Sequence, residues 1–152
     1  MRTDSASRII KASRRALYEA FLDPDALVSW LPPLGMKGHV HAFDPREGGS
    51  YRMVLTYDGP HHSAPGKTSE HSDVVEGRFL TLIPDERIVW QVKFESDDPA
   101  FAEPMTMTWT FVDFREGVEV TILCENVPDA IRPEDHEMGM RSSLENLAAF
   151  SE

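Results

Sequence analysis

PEDHEMGMRSSLENLAAF, residues 133–150, reads as one long amphipathic helix, and it decides how the rest of the chain is read. Pro133 suits a first helical turn, where no backbone N–H is needed, and Glu134 and Asp135 sit against the positive end of the helix dipole. Met140, Leu144, Leu147 and Ala148 recur at helical spacing and give one apolar stripe. Gly139 weakens the helix and is expected to let it approach a neighbouring surface closely. A helix with one apolar side needs something to cover.

The surface to be covered lies upstream. Between Lys37 and Glu125 nearly every segment alternates with period two. Gly38–Phe43 and Ser50–Tyr57 read as strands around a turn segment at Asp44–Gly49, with Tyr51, Met53, Leu55 and Tyr57 on one face. Val74–Ile83 and Arg87–Glu95 flank the turn Pro84-Asp85-Glu86, and Ile88, Trp90, Val92 and Phe94 share a side. Met105–Phe114 sets Met105, Met107, Trp109 and Phe111 against threonines. After a hairpin turn at Arg115-Glu116-Gly117, Val118, Val120, Ile122 and Cys124 face one way and Glu119, Thr121, Leu123 and Glu125 the other. Such alternation describes a sheet with one face buried and one wet. Two polar loops interrupt it, at 58–72 and 96–104. The first carries Gly59-Pro60 and Pro65-Gly66 and has a length that often serves function.

The front of the chain is short-range. Ser5–Lys11, with Ile9 and Ile10, reads as a first strand. Ser13 can cap a helix over RRALYEAFL, whose expected apolar stripe is Ala16, Leu17, Ala20 and Phe21. Asp23-Pro24 stops that helix and starts another, Pro24 to Trp30, which Pro32-Pro33 ends. The order strand, two helices, about six strands, long helix is that of an α+β protein. The expectation is a curved antiparallel sheet of about six or seven strands wrapped around a long C-terminal helix, with two short helices after the first strand, as one domain over residues 1–152. Its interior is either a packed core or a ligand cavity.

Composition removes several function classes. Fifteen Lys and Arg stand against 26 Asp and Glu, a formal charge of −11. Neither nucleic acid nor an anionic membrane surface is expected to bind so acidic a chain. The basic residues near the start, Arg2, Arg8, Lys11, Arg14 and Arg15, read as solvated charges around the first helix. Cys124 is the only cysteine, so no intrachain disulfide can form. No apolar run approaches the ~18 residues of a membrane helix, and residues 1–13 lack the apolar centre of a secretory signal. The expected location is the cytoplasm.

The segments RRALYEAFLDPDALVSWLPP (14–33), FDPREGGSYRM (43–53), GRFLTLIPDERIVWQV (77–92), MTMTWTFVDFREGVEVTI (105–122) and EDHEMGMRSSLENLAAF (134–150), in that order, carry a resemblance. Together they resemble the Hsp90-ATPase-activator-homologue-like branch of the START-like, or polyketide-cyclase-like, superfamily. The resemblance covers almost the whole chain and rests on no catalytic signature. It implies the helix-grip fold, a curved antiparallel sheet around a long C-terminal helix with a cavity between, and places Trp30 near the mouth. Two departures touch that cavity. The Gly-Trp pair common in the family's last helix is Gly139-Met140 here, and the 58–72 loop is long for the family. The expected cavity lining is Trp30, Met53, Leu55, Tyr57, Trp90, Val92, Met107, Trp109, Phe111, Met140 and Leu144. An apolar wall with a few polar tips suits a small hydrophobic ligand, though a solid core has the same periodicity.

Chemistry-bearing residues are sparse. His61, His62 and His71 near Glu70 read as polar loop residues. His39 and His41 share a strand face, but no third ligand accompanies them, so neither metal nor cofactor is expected. Cys124 lies on an apolar face, where cysteine packs rather than reacts. Glu76 and Arg78 share a strand face and are expected to face solvent. Glu137 and Arg141, one turn apart, suit a surface ion pair and would orient a polar substrate only if turned inward. Gly48-Gly49 is a turn rather than a phosphate loop, and no hydrolase nucleophile motif occurs. Three functions remain. The first is binding of a small apolar or aromatic molecule. The second is a cyclase-, hydrolase- or lyase-type enzyme using the same cavity, with Tyr57, His39, His41, Glu137 and Arg141 as candidate groups. The third, which the family resemblance implies, is a co-chaperone-like interaction module. Catalytic residues are unassigned, and a homodimer is left open.

Overall fold

Among the described residues seven strands and three helices follow one another in the order the sequence predicts. A computed structural model describes residues 2–32, 36–57, 72–94, 103–128 and 131–152; for Met36, Tyr57, Ser72, Asp73 and Phe94 it describes the backbone only. The elements are β1 (Thr3–Ile10), α1 (Arg14–Glu19), α2 (Pro24–Trp30), β2 (Met36–Phe43), β3 (Ser50–Tyr57), β4 (Ser72–Ile83), β5 (Arg87–Phe94), β6 (Met105–Phe114), β7 (Gly117–Glu125) and α3 (Pro133–Ser151).

The strands form one antiparallel sheet in the order β1-β7-β6-β5-β4-β3-β2. From β2 to β7 it is a meander. Among the described strands only β1 pairs out of sequence, lying beside β7 with Thr3 opposite Glu125 and Ile10 opposite Val118. Register shifts between Val40 and Ala42 and between Phe79 and Thr81 leave one extra residue in β2 and in β4. Bulges of this kind bend a strand and increase its twist, which curves the sheet toward α3. Tyr51 lies directly across from Gly77 on β4, and its ring occupies the place where a Cβ on Gly77 would sit. A glycine is required there because the neighbouring ring covers the backbone.

Local signals set the helices. The Ser13 side chain accepts from the Ala16 N–H at 3.0 Å, and Asp23 accepts from the Asp25 N–H at 2.9 Å, with Pro24 in the first turn of α2. The buried side of α1 differs from the expected stripe. Leu17, Tyr18, Ala20 and Phe21 are buried while Ala16 is exposed. The helix has fewer than two full turns, and the large Tyr18 ring rather than the Ala16 methyl fills the space against the sheet. Burial also raises the Tyr18 pKa, helped by the nearby charges of Asp85 and Glu47.

The core is the inner face of the sheet under the helices. Val118, Val120, Ile122 and Cys124 are buried on β7, and Ile88, Trp90 and Val92 on β5, as the alternation requires. On the outer face Glu76 accepts a cross-strand hydrogen bond from Arg52 at 2.9 Å, and both Glu76 and Arg78 are exposed. Among the described residues no helix is long and apolar enough to cross a membrane.

Candidate functional site

Helix α3 buries Met140, Ser143, Leu144, Leu147 and Ala148. It runs close to β1 at one edge of the sheet and meets α1 and α2 on the other side. Two polar bonds fix the second contact: Ser143 Oγ donates to the Leu31 carbonyl and Asn146 Nδ2 to the Pro32 carbonyl, both at 3.1 Å. Since α2 in turn lies against β2, the two helices bridge the sheet from edge to edge. The surface beneath them is the apolar inner face.

One part of that face is aromatic and tight. The Phe21 ring lies 4.7 Å from Trp30, 4.8 Å from Trp109 and 5.6 Å from both Trp90 and Phe111, mostly edge-on. Tyr51, Phe79 and Phe43 extend the cluster toward β2. Such edge-to-face pairs contribute about 0.5–1.5 kcal/mol each beyond their burial. Burial pushes the Tyr51 phenol far above its ordinary pKa, so it stays neutral.

The other part is rich in sulfur. Met107 Sδ accepts from Trp90 Nε1 at 3.3 Å. Cys124, register partner of Met107, places its Sγ 3.8 Å from Met140 Sδ. Burial, with a smaller push from the Asp4 carboxylate, raises the Cys124 thiol to about 12. It is a thiol at neutral pH and packs as the sequence suggests, since the nucleophile would be the thiolate. Met107 and Leu55 face inward from internal strands yet are only half-buried, beside fully buried Trp90, Cys124 and Met53.

The start of α3 is held by a polar clamp. His136 Nδ1 lies 2.7 Å from Asp4 Oδ2, and Arg2 Nη2 donates to the same oxygen at 2.9 Å. Arg2 also donates to the carbonyls of Pro128 and Ile131, and its own carbonyl accepts from the Val127 N–H. The Arg2 hydrogen bond, then that of His136, holds the Asp4 carboxyl below its usual pKa against the opposing effect of burial. Arg2 is therefore a structural tie rather than one of the solvated charges expected near the chain start.

Of the expected lining, Trp30, Met53, Trp90, Val92, Trp109, Phe111, Met140 and Leu144 are buried on the inner side, and Leu55 and Met107 are half-buried there. The side chain of Tyr57 lies outside the described residues, as do His61, His62, Glu70 and His71. Phe21 and Met105 also belong to this face; the helical stripe and the β6 alternation carried their signal. The remaining candidate groups point away. His39 and His41 are both exposed on edge strand β2, their rings 5.9 Å apart. Glu137 and Arg141 pair at 3.1 Å and are both exposed, so the inward alternative for them fails. Among the described residues no group of three or more His, Cys, Asp or Glu could hold a metal ion. Gly139 also departs from expectation. A Cβ there would meet no described atom within 4 Å, so no close approach among the described residues requires the glycine. Grooves beside α1 carry charges of both signs, with Arg14 3.4 Å from Asp113, and are solvated surface.

A family model for activator of Hsp90 ATPase homolog 1-like protein matches residues 11–152. The crystal structure of protein CV1439 from Chromobacterium violaceum is 33% identical, covers 99% of this chain and 98% of that one, and superposes with a TM-score of 0.85. Protein Ms6760 from Mycobacterium smegmatis (17% identity, 97% and 88% covered, TM-score 0.73) and protein NE0264 from Nitrosomonas europaea (19%, 97% and 92%, 0.71) share the fold. Among curated proteins none matches.

Proposed function

The chain belongs to the family of activator of Hsp90 ATPase homolog 1-like proteins, and from that premise we propose that it binds a small apolar or aromatic molecule between the sheet and α3. The observation that carries this reading is the uneven cover of the inner face. Leu55 and Met107 point inward from internal strands and remain half-buried. Thioethers around that region supply soft, adaptable contacts. The proposed lining is Trp30, Met53, Leu55, Tyr57, Trp90, Val92, Met107, Trp109, Phe111, Met140 and Leu144.

The enzyme alternative gains no support from the described residues. His39, His41, Glu137 and Arg141 are exposed away from the inner face, and Cys124 is held as a neutral thiol. General acid–base work needs groups within reach of one substrate position. No observation favours the co-chaperone reading or a second copy of the chain.

A thermal-shift series with neutral aromatic and polycyclic compounds tests the binding reading, with tryptophan fluorescence as a second readout. A ligand at 100 times its Kd adds about 2.7 kcal/mol to stability, which raises the melting temperature by several degrees. Narrowing the space through Met107→Phe is expected to lower that rise while the free variant stays folded. A flat response across the series up to solubility, with fluorescence unchanged, overturns the reading.

A further inference from the structure

The three tryptophans bury their rings equally and differ in what their N–H groups meet. Trp30 Nε1 donates to the Ala20 carbonyl at 2.9 Å. Trp90 Nε1 reaches only the Met107 thioether, a weak acceptor, at 3.3 Å. Trp109 Nε1 is buried and has no acceptor among the described residues, although the side chain is fully enclosed. Buried indole N–H groups usually find a partner, because leaving a donor unmade forfeits its hydration. Such an orphan calls for an explanation: stored strain, a functional role, or a bound water, ion or other molecule that answers it.

We propose that the molecule held between the sheet and α3 carries a neutral hydrogen-bond acceptor, a ketone, ester or ether oxygen, and that Trp109 Nε1–H, enclosed in the free protein, receives it when half-buried Met107, two residues along β6, gives way. The proposal rests on the binding reading above and deepens it. Neutrality follows from the surroundings. Apart from the neutral phenols of Tyr18 and Tyr51, Ser143 is the only polar residue among the buried described ones, and its hydroxyl donates to the Leu31 carbonyl. Arg2, at the edge of the same side, is committed to Asp4 and two carbonyls. Among the described residues no cation stands beside Trp109 to replace the hydration a carboxylate would lose there, whereas a neutral carbonyl needs only one donor. The ligand is therefore an apolar, ring-sized body with one such oxygen near its buried end.

Two isosteric probes separate the possibilities: 2-acetylnaphthalene, and 2-isopropenylnaphthalene, in which CH2 replaces the carbonyl oxygen. The smaller pair acetophenone and α-methylstyrene covers a narrower space. The indole N–H signals of 15N-labelled protein are followed, with assignment through Trp30→Phe and Trp109→Phe, or through contacts to Ile88 and Ile122 if a variant fails to fold. The expected result is a downfield move of the Trp109 signal with the ketones and none with the alkenes, though both bind. The ketone should bind about fivefold to tenfold more tightly than its alkene, and Trp109→Phe should erase that ratio. Equal binding of ketone and alkene, with the Trp109 proton fixed at an upfield position, overturns the proposal and leaves the binding reading standing. The N–H would then be answered by a ring face, that of Phe21 or Trp30, both packed edge-on against Trp109. Failure of all four probes to bind overturns both.

Discussion

Beneath α1 and α2, Phe21 meets four aromatic rings at centroid distances between 4.7 and 5.6 Å, and every one of them is buried. Beneath the start of α3, the same inner face is built from Met107, Cys124 and Met140, with Met107 half-buried. Rings have few rotamers and fill a volume in one way, whereas a thioether on three rotatable bonds refills it in several. The aromatic part behaves as a fixed wall that sets the sheet against α1 and α2. The sulfur part is the one that can yield to a guest without unfolding its surroundings.

The contrast breaks most visibly at its rigid end. Trp90 touches Phe21, Tyr51, Phe79 and Trp109, so Trp90→Ala removes a ring from the middle of the cluster. Large-to-small changes at such sites cost about 3–5 kcal/mol, and urea unfolding should place this variant near the limit of folding. A loss below about 1.5 kcal/mol would mean that the cluster relaxes as freely as the methionines, and the distinction between the two parts would fall.

The clamp that seats α3 over the soft part supplies the next test. Asp4→Asn removes the charge that Arg2 and His136 share, and hydrogen bonds to charged groups are worth about 1.5–3 kcal/mol. Because the folded carboxyl releases its proton at lower pH than the unfolded one, the unfolded chain holds more protons in the interval between, and stability rises with pH there. The advantage of the native protein over Asp4→Asn is therefore complete above the ordinary aspartate value of 3.8 and disappears as pH falls through the lowered folded value. Denaturant midpoints of both proteins from pH 6 downward measure this directly. Near-UV circular dichroism of the aromatic cluster should be the same in both, because the clamp does not touch it.

How far the sequence carried this picture depends on the range of each interaction. Ser13 and Asp23-Pro24 mark their helices within three residues, and period-two alternation placed Trp90, Trp109 and Ile122 on the inner side without any structure. The clamp was illegible because Asp4 and His136 are 132 residues apart and meet only once β1 pairs with β7. The same pairing turns Arg2 from a surface charge into a tie. Hydrophobic pattern also says nothing about hydrogen-bond partners: it puts Trp30 and Trp109 on the same side and gives no hint that, among the described residues, only the former has an acceptor. Nor could it distinguish a glycine that close packing requires from one that it does not.

Met140→Leu probes the yielding part. Leucine has nearly the same volume, and swaps of this kind usually cost less than about 1.5 kcal/mol. The expected stability loss is small, while affinity for an apolar ligand should change more than stability does, since a branched side chain offers fewer shapes to a guest. Paired denaturant and ligand titrations compare the two. A loss as large as that of Trp90→Ala would show that Met140 is packed as rigidly as the rings.

Gly139→Ala has the smallest expected effect and the most specific sign. Glycine in a helix interior is less favourable than alanine by about 0.8–1.0 kcal/mol, and a Cβ at this position meets no described atom within 4 Å. With no clash to offset the gain in helix propensity, the variant should be more stable by about 0.5–1 kcal/mol, read as a rise of a few degrees in melting temperature. Destabilisation instead would mean that α3 is pressed against a neighbour at Gly139 as closely as the rings of the aromatic part are pressed against one another.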